Sequence, residues 1–144
     1  MSGCTFCDIV KGEREGTFVY RDDRVSVFMD VQPINPGHML VVPNEHASYL
    51  SDLDPETGAQ MFRVAQKMTA SLRKSALRCE GVNLFLADGE AALQDVFHVH
   101  LHVIPRFKGD GFGLVLADTY HTRPPRTELE RAAEKIRKTI EQEA

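Results

Sequence analysis

The chain has 144 residues, enough for one domain with a hydrophobic core and too few for two of ordinary size. Apolar residues make up 42% and charged residues 26%, a balance that argues against disorder. The formal charge is −4, from 17 Lys and Arg against 21 Asp and Glu; this weighs against wide nucleic-acid binding, which relies on neutralising phosphates, but permits a small anionic ligand at a local site.

No apolar run approaches membrane-spanning length, and the start Met-Ser-Gly-Cys-Thr-Phe-Cys lacks the basic and apolar regions of a signal peptide. A cytoplasmic protein with no membrane partner is expected. The odd cysteine count (Cys4, Cys7 and Cys79) argues against a disulfide scaffold in a reducing compartment.

Along the chain, Thr17–Tyr20 and Val25–Asp30 read as strands joined by the turn-like Arg21-Asp22-Asp23-Arg24. Pro33-Ile34-Asn35-Pro36-Gly37 breaks the chain before a third strand, His38–Val42, that stops at Pro43. Asp54 is a natural N-cap, Pro55 suits the first helical position, and Glu56 suits a positive helix start. Met61, Val64, Ala65, Met68 and Leu72 then repeat at helical spacing, with Gly81 as a terminator. Val82–Ala87 and Phe97–Ile104 read as strands, the second stopped by Pro105. After the glycine-rich loop 108–113, Thr127-Glu128-Leu129-Glu130 forms a capping box for a last helix over about 127–142. Leu129, Ala132, Ala133, Ile136 and Ile140 give that helix one apolar stripe. Short strand-to-strand links predict an antiparallel α+β domain: about five strands, a central helix and a C-terminal helix. A single domain over residues 1–144 is expected.

The run His98-Val99-His100-Leu101-His102 carries the chemistry. Alternate side chains of a strand share a face, so the three imidazoles stand opposite Val99, Leu101 and Val103. Same-face neighbours would lie roughly 6.6 Å apart, and the outer pair about 13 Å. A straight strand of that span does not close three rings on one metal, but it suits a substrate with reacting atoms in line, such as a phosphate and its leaving group. Neutral imidazole attacks phosphorus and later departs, and its unperturbed pKa of about 6.5 keeps it usable near neutrality.

Cys4-Thr5-Phe6-Cys7 is a C-x-x-C pair, open to a redox role, a metal half-site or simple burial. A redox pair opens a helix after a strand, and no strand precedes this one. A metal site needs two further ligands, and His46 and His98 are available; Cys₂His₂ is a usual closed zinc set.

His98-Val99-His100-Leu101-His102-Val103-Ile104 resembles the His-φ-His-φ-His-φ-φ motif of the histidine triad (HIT) family. The segments 28–33, 36–43 and 88–92 are similar to family segments in family order, and 105–107 and 109–112 resemble small bacterial members. The similarity spans most of residues 4–113. It implies transfer or hydrolysis at the α-phosphate of a purine nucleotide: a dinucleoside polyphosphate, a phosphoramidate or an adenylate. It also implies a covalent intermediate on the middle histidine, His100, with His102 and His38 at the phosphate. It assigns Asp30 to the ribose hydroxyls and Phe6, Ile9, Phe28 and Val31 to the base pocket. Gln94 falls near the phosphate or leaving group. For Cys4, Cys7, His46 and His98 the resemblance implies one structural zinc, and small members pair as homodimers. Two positions depart from the pattern: Ala87 stands where many relatives have Asn, and Leu93-Gln94-Asp95 where they have Gly-Gln-Ser/Thr. These departures also admit a second class, a zinc-stabilised nucleotide-binding or partner-binding module with little or no catalysis.

Overall fold

The computed structural model describes residues 3–143, so Met1, Ser2 and Ala144 of the expected single domain lie outside the described residues. The chain divides into two compact units at Phe112/Gly113.

The first unit holds α1 (Thr5–Lys11), β1 (Phe18–Arg21), β2 (Val25–Met29), β3 (Met39–Pro43), α2 (Pro55–Lys74), β4 (Gly81–Phe85) and β5 (Leu101–Arg106). The five strands form one antiparallel sheet in the order β1-β2-β3-β5-β4. The α+β architecture with a central helix is that expected.

Local chemistry explains the element ends. Asp22 accepts hydrogen bonds from the Arg24 and Val25 amides and so closes the β1–β2 turn. Asp54 caps α2 by accepting from the Thr57 amide, with Pro55 at the first turn. The helix ends at Lys74 with Ser75 as its C-cap, well before Gly81, which opens β4 instead. Met61, Val64, Ala65, Met68 and Leu72 bury against Val25, Val27, Met39, Val41 and Val103 on one face of the sheet. Each such side chain contributes roughly 1.5–3 kcal/mol by leaving water.

The other face carries Phe28, Leu40 and Val42, which pack with Phe6 and Ile9 of α1. This short helix has no counterpart among the elements expected from sequence. Its buried residues are contiguous, Phe6 to Ile9, so they show no helical period, and Cys4 is the N-cap, its sulfur accepting from the Cys7 amide.

The histidine segment differs from the expected strand Phe97–Ile104. Residues 97–100 lie outside the ladder, and β5 runs through Pro105 to Arg106. The Val99 amide bonds to the Ala47 carbonyl instead of to a neighbouring strand. Pro105 is tolerated because the β3 partnership ends at Val103, where the missing N–H would otherwise be needed. The alternation survives: Val99, Leu101 and Val103 all enter the α2-side core.

The second unit contains a single 3-10 turn at Asp118–His121 and α3 (Arg126–Glu143). This helix begins one residue before the expected capping box, so Thr127 lies within the first turn. Leu129, Ile136 and Ile140 of its apolar stripe are exposed.

Candidate active site and metal centre

His100 and His102 project from the α1-covered face of the sheet, and the two rings stand 5.0 Å apart in edge-to-face contact. His100 is buried, and the edge of Phe6 meets its ring at 5.1 Å. Its Nδ1 lies 2.8 Å from the His98 carbonyl oxygen. A carbonyl only accepts, so Nδ1 carries the proton and Nε2 keeps its lone pair.

A second chain of bonds fixes two further rings. The Ile34 amide donates to His38 Nδ1 at 3.1 Å, which places the His38 proton on Nε2. That Nε2–H donates to His102 Nδ1 at 2.8 Å, so the His102 proton sits on its own Nε2. Burial favours the neutral form of both rings. It brings the His102 pKa down to about 4, helped by the neighbouring His100 and His38, with Asp30 and Asp95 opposing. Burial also lowers that of His38 against the opposing charge of Asp30. Asp30 Oδ2 is 3.4 Å from His38 Nε2 and 4.0 Å from His102 Nδ1, while Oδ1 accepts from the Gln32 amide. Asp30, His38 and His102 are close enough to suggest a cation site. The 2.8 Å nitrogen separation speaks against it: two nitrogens on one tetrahedral zinc stand about 3.3 Å apart. It is a hydrogen-bond length.

His100, His102 and Asp30 open onto a cleft of about 240 Å³, while His38 is not part of its lining. Phe6, Ile9, Phe28 and Leu40 form its apolar wall, and Asp30, Asp95, His100 and His102 its polar side. Val31 also lines it but is 93% exposed, so it belongs to the rim. Gln94 is not part of the lining. Its amide is spent on backbone: Oε1 accepts from Gly89, and Nε2 donates to Ser48 and Val96. It thus braces the loop 89–96. A larger cleft, about 420 Å³, lies among Asp23, Arg24, Glu45, Asp54, Glu56 and Thr57. It holds no histidine or cysteine, and its charge is mainly acidic.

Sequence reasoning missed two features of this region. Leu40 reads as an ordinary strand residue yet walls the cleft. The segment 33–37 reads as a chain break, yet Ile34 sets the His38 tautomer. Asn35 ties this turn down by donating to the Pro105 carbonyl and to Asp110. Asp110 in turn pairs with Arg106 at 2.6 Å, which holds its carboxyl well below the usual range. Only the buried side-chain role of Asn35 could have signalled this, and burial is not visible in a lone sequence.

His98 faces away from the cleft chemistry. Its Nε2–H donates to the Pro43 carbonyl at 2.8 Å, which turns the Nδ1 lone pair toward Cys4, Cys7 and His46. Nδ1 lies 3.4 Å from Cys4 Sγ, 3.5 Å from Cys7 Sγ and 3.3 Å from His46 Nδ1; Cys7 Sγ is 3.4 Å from His46 Nδ1. A tetrahedron with Zn–S of about 2.3 Å and Zn–N of about 2.05 Å has edges of about 3.3–3.8 Å. The four donors therefore fit one zinc ion. Burial, then the adjacent Cys4, pushes the Cys7 thiol up to about 11, so a thiolate here calls for a cation.

Comparison with known proteins bears on both sites. Residues 11–109 match the family model described as the HIT domain. An uncharacterised HIT-like protein of Borreliella burgdorferi is 41% identical over 114 residues, covering 78% of this chain and 82% of that protein. Among solved structures, a HIT family protein from Bacillus anthracis superposes with a TM-score of 0.88 at 33% identity, over 96% of this chain and 97% of that one. A Zn-bound histidine triad family protein from Mycobacterium smegmatis gives 0.74 at 35% identity, over 99% and 98%. A histidine triad nucleotide-binding protein from Candida albicans gives 0.87 at 27% identity, over 99% and 100%.

Proposed function

The chain belongs to the HIT family, and from that premise we propose that it is a nucleotide hydrolase or nucleotidyl transferase working through a covalent nucleotidyl-histidine at His100. The observation that carries this reading is the His100 ring: Nδ1–H is anchored on a carbonyl, and the Nε2 lone pair is left for phosphorus. Nucleotide binding is supported by the likeness to the Candida protein.

The substrate is a purine nucleoside 5′-phosphate derivative. The base packs between Phe6, Ile9, Phe28 and Leu40, with Val31 at the rim. Asp30 accepts from the ribose hydroxyls. His102 donates Nε2–H to a phosphate oxygen, with His38 behind it holding that tautomer. In the first step the Nε2–phosphorus bond forms. The bond to the leaving oxygen or nitrogen breaks, its electron pair stays on the leaving atom, and that atom takes a proton from water. Water or another acceptor then attacks phosphorus and gives its proton to the hydroxide left by the first step, and the electrons of the N–P bond return to Nε2. A zinc ion held by Cys4, Cys7, His46 and His98 would be structural, joining the N-terminal helix to the histidine segment. The active form is a homodimer.

The test is intact-protein mass spectrometry after mixing with adenosine and guanosine phosphoramidates, adenylates and dinucleoside polyphosphates. An acid-labile nucleotidyl adduct on His100 is expected. His100→Ala should lose turnover and adduct while keeping nucleotide affinity within about threefold. An adduct on another histidine would overturn the mechanism.

A second reading is favoured by one observation. Asp95 Oδ1 lies 3.6 Å from His100 Nε2, where phosphorus would have to approach. On that reading the chain binds nucleotide without turning it over, and no compound of the panel would give an adduct.

A further inference from the structure

The cleft that would take the nucleotide has an acidic lining. Its ionisable lining consists of Glu15, Asp30 and Asp95 with His100 and His102; among the described residues that line it, none is Lys or Arg. His102 stays neutral at pH 7, since its pKa is about 4. A polyphosphate carries several negative charges beyond the α-phosphorus, and nothing cationic here would neutralise them.

Asp95 is the acid placed to matter most. It stands in the segment 93–95, where the chain departs from the Gly-Gln-Ser/Thr pattern. Its side chain is 81% exposed, at the mouth of the cleft. Oδ1 is pinned by the Val96 amide at 2.9 Å, and the same oxygen lies 3.6 Å from His100 Nε2. The turn around it is fixed as well: Leu93 holds φ of 70°, and the buried Gln94 amide clamps Gly89, Ser48 and Val96. The carboxylate is therefore a negative charge held by one hydrogen bond at the cleft mouth, beside the place the α-phosphate must take.

Resting on the nucleotide reading above, we propose that Asp95 selects the leaving group by charge, so that the site takes nucleoside 5′-phosphoramidates of cationic or neutral amines in preference to polyphosphates. A serine or threonine hydroxyl at this position would be indifferent to leaving-group charge. A carboxylate attracts an ammonium on the departing group and repels a phosphate or carboxylate. For charges about 6 Å apart in a mostly aqueous setting, the discrimination amounts to about three- to thirtyfold. Because Asp95 is exposed, salt should weaken it.

The test uses three adenosine 5′-phosphoramidates that share one P–N bond and differ only in the amine: 2-aminoethyl, ethyl and 2-carboxyethyl. Wild type, Asp95→Asn and Asp95→Ser are compared by kcat/KM. The 2-aminoethyl compound should exceed the 2-carboxyethyl compound by about three- to thirtyfold in wild type, with the ethyl compound between. In both variants the ratio should fall toward one, and raising salt should narrow the wild-type ratio. An unchanged ratio in Asp95→Asn, or equal changes for all three compounds, would overturn the proposal. Affinities of the same compounds for His100→Ala separate it from the catalytic reading. If wild type cleaves none of the three, the chemistry fails; graded affinities that flatten in His100→Ala/Asp95→Asn still uphold charge selection, and equal affinities sink it.

Discussion

The Ile34 amide governs the protonation of two imidazoles, because its donation to His38 Nδ1 dictates where every later proton in the chain can sit. A pH dependence follows from burying these rings neutral. The folded His102 pKa is about 4, below the ordinary value near 6.5. Between those values the unfolded chain binds more protons, so stability rises with pH through that window and is lost as pH falls through it. His38 shifts in the same direction. The melting temperature should therefore fall steadily from pH 6.5 to about 5.5, above the range where most carboxylates titrate, and His102→Gln should flatten the slope. A flat wild-type profile would contradict the buried neutral relay. Asp30 gives a second prediction at this scale. If it accepts from the ribose, Asp30→Ala should cost about 1.5–3 kcal/mol of ribonucleotide affinity and much less for a 2′,3′-dideoxynucleotide, read by calorimetric titration. At this scale the sequence was informative where residue type itself limits the chemistry. The histidine run and the C-x-x-C pair stood out because few structural roles need them. The Gln94 amide did not, since an amide suits a phosphate contact and a loop brace equally well.

Among the elements, α1 joins the two candidate sites. It presents Phe6 and Ile9 to the cleft, and its start carries two donors of the proposed zinc set. Cys4→Ser removes a zinc ligand while its hydroxyl can still cap α1, so it should lower the melting temperature, through the lost ligand alone, well before it affects turnover. A loss of about 2 kcal/mol corresponds to roughly 4–8 °C for a domain of this size. Elemental analysis should find one zinc per wild-type chain and less in the variant; metal-free wild type of unchanged stability would refute the site. The turn before β3 offers a separate test. Gly37 has φ of 100°, and a Cβ there would meet Leu77, Leu72 and Pro105 at 3.0–3.3 Å. Gly37→Ala should destabilise by about 1–3 kcal/mol in a denaturant titration. It should also disturb the neighbouring His38 and slow turnover. The strands and α2 were legible because alternation, helical period and caps agree along them. The bend at 97–100 was not, because its cause is a distant carbonyl, Ala47, that takes the Val99 amide. The helix α1 was hidden because a seven-residue element with four adjacent buried residues shows no period.

At the scale of the whole molecule, apolar side chains stand exposed along an edge of the sheet. The α2 stripe is spent on the chain's own sheet, where Met61, Val64 and Leu72 are buried. A homodimer would therefore pair through a surface other than this stripe. Among the described residues, no helix is long and apolar enough to cross a membrane. β4 is an edge strand, and Leu84 and Phe85 on it remain 39% and 40% exposed. An unblocked edge with apolar side chains is a template for pairing with a second chain, and joining two such edges would extend the sheet. Phe85 also packs near the His102 ring, at 5.8 Å, so a contact through β4 would reach the candidate active site. Sedimentation equilibrium at micromolar concentration should give twice the 16.2 kDa chain mass. Leu84→Lys should shift the equilibrium toward the single chain while leaving far-UV circular dichroism unchanged, because a charge on an exposed edge blocks pairing without entering the core. A wild-type mass of one chain would refute the dimer, and a Leu84→Lys variant that still dimerised would move the contact away from β4.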